Sequence, residues 1–301
     1  MSTIAQGVSG PGGLTVGRFR LDPIVEFEGR RMPPAAMFPN VGPDRLAALL
    51  RRVPDGSYDA ATDQLVTSVH SWLVRDEAGL VLLVDTCFGS LKDRPTHPFF
   101  HMQQSDWMQR LERLGVQAGD VTHVVNTHLH LDHVGWNTHL ADGAWRPTFP
   151  NARHLMPRVE AEIMRAGAST HMIYNERPWN DSVRPVIEAG LADLVDPPFV
   201  VVPGIRLIAC AGHSPGMMVA EIADGSGGGV MAGGDPLHHP LQVFAPDANT
   251  LFCEDPEGAA AARRAFLGHC ADEGWRIAAT HFCVPRVLSV RRDGDGFAWG
   301  D

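Results

Sequence analysis

The 301-residue chain has no block of basic residues, no run of about 18 apolar residues and no C-x-x-C pair. Each absence removes a class of function. Without the apolar run no membrane-spanning helix is expected, and residues 1–17, rich in Gly and Ser, lack the basic and apolar regions of an export signal. With 25 Lys and Arg against 35 Asp and Glu the formal charge is −10, so a nucleic acid or an anionic membrane would meet net repulsion. Neither is expected as a partner. The five cysteines (Cys87, Cys210, Cys253, Cys270 and Cys283) are odd in number and scattered, which fits reduced thiols in a cytoplasm rather than a disulfide framework. There is no fixed-period repeat. The one low-complexity stretch, residues 225–229, lacks the Lys-Ser/Thr and following helix of a phosphate cradle and reads as a hairpin turn.

What is present suits a compact enzyme, with 44% hydrophobic residues to fill a core. Residues 1–16 read as a mobile arm and residues 17–301 as one domain. Residues 16–28 alternate as a first strand, with Pro23 placing it near an edge, and a Pro-rich loop spans 33–43. Residues 65–84 read as a hairpin turning at Asp76-Glu77-Ala78-Gly79. Residues 105–114 have helical spacing closed by Gly115, and 120–126 form a short strand. Further strands are expected at 205–210, 229–233 and 277–280, with a helix over 256–272 started by Asp255-Pro256 and ended near Gly274. The interval 135–211 is expected to hold a strand at 152–156 and helices at 158–165 and 181–189 around a turn-rich stretch at 167–180. Its length suggests a cap lying over a site and setting substrate choice.

The chemistry is concentrated in His128-Leu129-His130-Leu131-Asp132-His133, three imidazoles and a carboxylate in six residues. Nitrogen and carboxylate donors of this kind suit an open hydrolytic metal site, whereas a structural zinc site is usually closed by four ligands, often thiolates. The cluster follows the C-terminal end of the strand expected at 120–126. His213, Asp235 and His281 each follow a later strand in the same way, where sheet proteins tend to build sites. His128 and His130, two apart on an extended loop, point the same way and can share one ion, completed by His213. Asp132 and His133 belong to a second, completed by His281, and Asp235 has the two oxygens needed to bridge both. Two ions sharing a carboxylate lie about 3.5–4 Å apart and can hold a hydroxide formed at neutral pH.

On Asp85, the HLHLDH run, His213 in GHSPG, Asp235 in GGD and His281, the chain resembles the metallo-β-lactamase superfamily across most of its length. The resemblance implies an α/β fold, a four-layer αβ/βα sandwich of two mixed sheets with helices outside. By motif match it implies His128, His130 and His213 on one zinc, Asp132, His133 and His281 on the other, Asp235 between them, and Asp85 orienting a ligand without binding metal. Departures narrow the choice. Zinc β-lactamases lack the bridging Asp, flavodiiron proteins have Glu where His130 stands, and the net charge disfavours the processing nucleases. Acyl-homoserine lactonases carry Tyr where this chain has His238 in GDPLHHPLQ, a position at which it is more similar to the branch containing methyl parathion hydrolase.

The expectation is a dinuclear zinc hydrolase whose bridging hydroxide opens small neutral esters or lactones, with two Zn2+ per chain that Mn, Co or Fe could replace. Phosphotriester hydrolysis or hydrolytic dehalogenation on the same centre is the alternative, and a metal-dependent binding or sensing module is the reading from another class. Asp132 would pass a proton to the leaving group, Asp235 would bridge, and His238 would assist as donor or substrate contact. Cys283, two residues past His281, is the thiol that could approach a metal. Trp136, Trp145, Met156, Trp179 and Phe282 could line an apolar pocket, although core packing is the default for such side chains. The remaining histidines read as surface or hydrogen-bonded residues, and the arm with the Pro-rich loop would suit a homodimer contact.

Overall fold

In the computed structural model, residues 13–167 and 178–300 are described. Most of the expected N-terminal arm, and residues 168–177 of the expected turn-rich stretch, including His171, lie outside them.

Two mixed sheets stack face to face. The first has eight strands. Its path runs Leu14–Val16, Phe19–Met32, Gln64–Arg75, Val81–Val84, His123–Val125, Arg153–Pro157, Ala192–Val195, with Tyr58–Asp59 paired to Gln64–Arg75. The second has seven: Phe199–Val202, Ile205–Ala209, Met218–Ala223, Gly229–Ala232, Arg276–Ala278, Val287–Asp293 and Gly296–Gly300. Successive side chains on a strand point to opposite faces, and Val81–Val84 shows the consequence. Leu82 and Val84 join Trp72, Val74 and Leu21 against Leu207, Met218 and Val230 of the second sheet. Leu83 faces the other way, with Leu73 and Val69, towards Trp107 and Leu111 of the helix Trp107–Arg113. The outer face of the second sheet is covered by Phe266, Leu267 and Cys270 of the helix Pro256–Glu273. Helix, sheet, sheet and helix make the four layers.

Turns and helix ends follow from local side chains. Asp76 accepts from the N–H groups of Ala78 and Leu80 in the turn between Gln64–Arg75 and Val81–Val84. Asp255 caps the long helix by accepting from Gly258 N, and Gly274 ends it at φ 69°. Pro23 lies past the three residues of Phe19–Met32 that pair with Leu14–Val16, where the strand is the sheet edge.

One expectation is corrected. The Pro-rich stretch 33–43 is not a plain loop: Pro34–Met37 and Pro43–Leu50 are helices that each start on a proline, whose fixed φ and missing N–H suit the first helical position. The described residues of the interval 135–211 contribute four strands to the two sheets, beside helices and a separate hairpin, Thr138–Ala141 with Ala144–Pro147. Arg153–Pro157 and Ala192–Val195 extend the first sheet in parallel, joined across the helix Arg158–Ala166, and Phe199–Val202 starts the second sheet. Parallel neighbours need a crossover of a dozen residues or more, which accounts for much of the interval's length.

Candidate metal centre

All seven candidate ligands lie on loops at the C-terminal ends of strands. His128 to His133 follow His123–Val125, Asp235 follows Gly229–Ala232, His281 follows Arg276–Ala278, and His213 lies between Ile205–Ala209 and Met218–Ala223. The residue before His213 is Gly212, at φ 132°. A Cβ there would stand 2.3 Å from Ala259 N, so only glycine lets this loop rest on the first turn of the long helix.

His130 Nδ1 lies 3.0 Å from His128 Nε2 and 2.9 Å from His213 Nε2. Zinc–nitrogen bonds of about 2.0–2.1 Å at tetrahedral angles separate ligand atoms by roughly 3.3 Å, so this triangle has the size one ion requires. On the other side, His133 Nε2 and His281 Nε2 stand 3.8 and 3.9 Å from the Asp132 carboxylate. Asp235 Oδ2 lies between the two sets, 3.3 Å from His133 Nε2, 3.1 Å from His281 Nε2, 3.4 Å from His213 Nε2 and 3.9 Å from His128 Nε2. His133 Nε2 and Asp235 Oδ1 are buried without a hydrogen-bond partner. Such orphaned atoms are rare in folded proteins and are what a missing cation would satisfy, so the residues fit a metal.

The rings are held in the tautomer a ligand needs. His281 Nδ1 donates to the Ser68 carbonyl at 2.9 Å, which leaves the Nε2 lone pair facing the cluster. His133 Nδ1 meets Asp85 Oδ2 at 2.9 Å, and Asp85 is itself fixed by Thr127 N at 2.8 Å and by the Thr127 hydroxyl. Asp85 adopts φ 60°, a conformation that Asp tolerates better than most residues. Burial, with neighbouring imidazoles adding to it, pushes the pKa of His128 and His213 well below the ordinary histidine value, keeping them neutral. Burial opposes charge on Asp235 and Asp132 too, but the surrounding histidines outweigh it and hold both below the usual carboxylate range. Neutral imidazoles and ionised carboxylates are the forms that bind cations.

The structure separates the alternatives left open for the neighbouring side chains. Cys283 does not join the cluster; its thiol donates to Glu28 Oε1 at 3.3 Å. Trp136 stacks on Trp107 at 5.9 Å and donates to Glu26 Oε1, while Met156 and Phe282 are buried in separate apolar clusters. His238 does reach the site: its Nε2 is 3.2 Å from Asp235 Oδ2, its ring stacks on His281 at 5.6 Å, and its Nδ1 is buried without a partner. The pocket over the cluster, about 530 Å3 with its open mouth, is walled by Arg30, Met37, Thr67, His97, Phe100 and Phe252. Among the described residues, the wall beyond the candidate ligands comes from the strands Phe19–Met32 and Gln64–Arg75, the helix Pro34–Met37 and the loops near 100 and 252, and none of it from 135–211.

Two buried or half-buried carboxylates carry no sequence signature yet bear on the site. Glu160, on the helix Arg158–Ala166, accepts from Leu129 N at 2.6 Å, from Gly216 N at 3.0 Å and from the Ser214 hydroxyl, tying the HLHLDH loop to the GHSPG loop. Glu254 Oε1 stands 3.4 Å from His130 Nε2 and orients that ring. A glutamate on an amphipathic helix reads as a solvated face, and only burial reveals otherwise.

The fold and the site define a class: the chain belongs to the metallo-beta-lactamase superfamily, whose sequence profile matches residues 65–269. An N-acyl homoserine lactonase of Bacillus thuringiensis is 27% identical over 121 residues, an alignment covering 40% of each protein, so the chain spans less than half the length of that relative. Among solved structures, a hydrolase of the same superfamily called AbOPH is similar with a TM-score of 0.77, 21% identity and 98% of both chains covered. A dizinc quorum-quenching lactonase, AidC, solved with the product N-hexnoyl-L-homoserine, has a TM-score of 0.74 at 19% identity, with 96% of each chain covered. Among the described residues, no helix is long and apolar enough to cross a membrane.

Proposed function

We propose that this chain is a metal-dependent hydrolase of small esters or lactones, with two zinc ions per chain held by His128, His130 and His213 on one side, Asp132, His133 and His281 on the other, and Asp235 between. One observation carries the reading: Asp235 Oδ2 lies within 3.1–3.9 Å of imidazole nitrogens from both sets, the placement a shared carboxylate needs. When bound, such ions supply Lewis acidity and an activated water at neutral pH. The chain supplies the rest. His133 and His281 are locked by Asp85 and the Ser68 carbonyl, so the donors are in position before substrate arrives. Asp132, ionised and with its side chain 16% exposed in the pocket, is the carboxylate placed to take the proton released by the attacking water and pass it to a departing oxygen. His238 lines the same pocket and is placed to contact the substrate. The lactonases similar to this chain point to cyclic or open esters.

The test is one sample under two conditions. Zinc-loaded protein is expected to contain two equivalents of metal and to cleave a homoserine lactone or a 4-nitrophenyl ester faster than paraoxon; the chelated protein is expected to cleave none. Faster paraoxon turnover would move the reading to phosphotriesters. No turnover of any of the three by fully loaded protein would overturn it.

A further inference from the structure

The pocket contains one guanidinium. Arg30, near the end of the strand Phe19–Met32, seats its Cζ 4.7 Å from the ring centre of Phe99 and 5.2 Å from that of Phe100. Phe99 and Phe100 in turn pack edge to face at 5.0 Å, so the seat is rigid. Cation–π contact fixes the planar group while using none of its N–H donors. Its chain neighbour Arg31 is paired with Asp59, and Arg286 nearby with Glu28. Arg30 has no ion pair or side-chain hydrogen bond to any described residue.

The two carboxylates that line the pocket, Asp132 and Asp235, are both candidate ligands. Burial disfavours the charge on Arg30, and Asp132 is the group that supports it. Once cations occupy the site, Asp132 is engaged by them. Arg30 then shares a pocket with a positive centre, and no carboxylate other than these two lines that pocket among the described residues. A ligand with a carboxylate at its far end would satisfy both ends of that pocket at once.

We propose that Arg30 is a substrate-recognition residue that binds a carboxylate remote from the bond being cleaved, so that this site prefers acidic esters or lactones to the neutral ones its sequence suggests. The anion site rests on the occupied metal centre of the function proposed above, and its role towards a substrate on the hydrolytic activity.

The probe is therefore a pair of inert acids. Zinc-loaded wild type is titrated calorimetrically with adipate and with hexanoate, and with glutarate and pentanoate to allow for length. The longer or shorter dicarboxylate is expected to bind about 10- to 100-fold tighter than its monocarboxylate, the size of a charge-assisted hydrogen-bonded pair. Arg30→Met and Arg30→Gln are expected to bring that ratio close to one, and Arg30→Lys, which keeps charge but loses the fork, to leave part of it. Equal binding of both acids by wild type, or a preference that survives in Arg30→Met, would overturn the proposal. In parallel, the ratio of kcat/KM for the 4-nitrophenyl monoester of adipic acid to that for 4-nitrophenyl hexanoate is expected to fall about tenfold in Arg30→Met. If neither ester is cleaved but the acid preference holds, the hydrolase reading fails and the anion site stands.

Discussion

Asp85 Oδ2 lies 2.9 Å from His133 Nδ1, and both residues are fully buried. The carboxylate thus fixes the ring whose other nitrogen, Nε2, faces Asp235 and Asp132. Partners of this kind usually matter to metal affinity nearly as much as the donors they orient. Asp85→Asn is expected to weaken zinc binding about 10- to 100-fold with the fold intact. Competition with a chromogenic chelator measures this; unchanged affinity would show that His133 is not a donor.

Glu160 ties two ligand loops to the helix Arg158–Ala166. Replacing its carboxylate by an amide leaves at least one buried N–H or hydroxyl facing another donor, at a cost of about 1–3 kcal/mol. Glu160→Gln is expected to lower the urea midpoint with an unchanged slope and to weaken zinc binding as well. An unaltered midpoint would mean that the two loops are held by other contacts.

His238 touches Asp235 and stacks on His281, yet it stands outside the two triads. His238→Leu is expected to lower kcat/KM by about 100-fold while two equivalents of zinc remain bound. Loss of one equivalent would instead make His238 a metal ligand, a role its grouping with His213 and Asp235 would allow.

Glu26 is buried beneath the loop of Phe88 and Gly89, and burial lifts its pKa from 4.5 to about 7 against the donors that favour ionisation. The folded state therefore holds a proton that the unfolded state releases between these values. Stability from this group is full below about pH 4.5 and is lost as pH rises to about 7, a change of about 3 kcal/mol. Denaturant melts from pH 4.5 to 8 are expected to show this decline in wild type and not in Glu26→Gln. A parallel decline in the variant would assign it to other groups.

Much of this protein is written locally. The turn at Asp76, the cap at Asp255 and the stop at Gly274 depend on neighbours a few residues away, and so does the close spacing of His128, His130, Asp132 and His133 that marks the site. The order of His213, Asp235 and His281 after later strands could also be read, because strand ends recur as site positions. Tertiary structure decided the rest. The Ser68 carbonyl meets His281 across 213 residues of sequence and Glu160 meets Ser214 across 54, distances at which no periodicity carries a signal. Among the described residues, Arg30, Phe100 and Phe252, far apart in sequence, meet on the pocket wall, a meeting no local pattern announces. Residue types set which atoms could bind a cation; only the stacking of two sheets decided which of them meet, and what surrounds them.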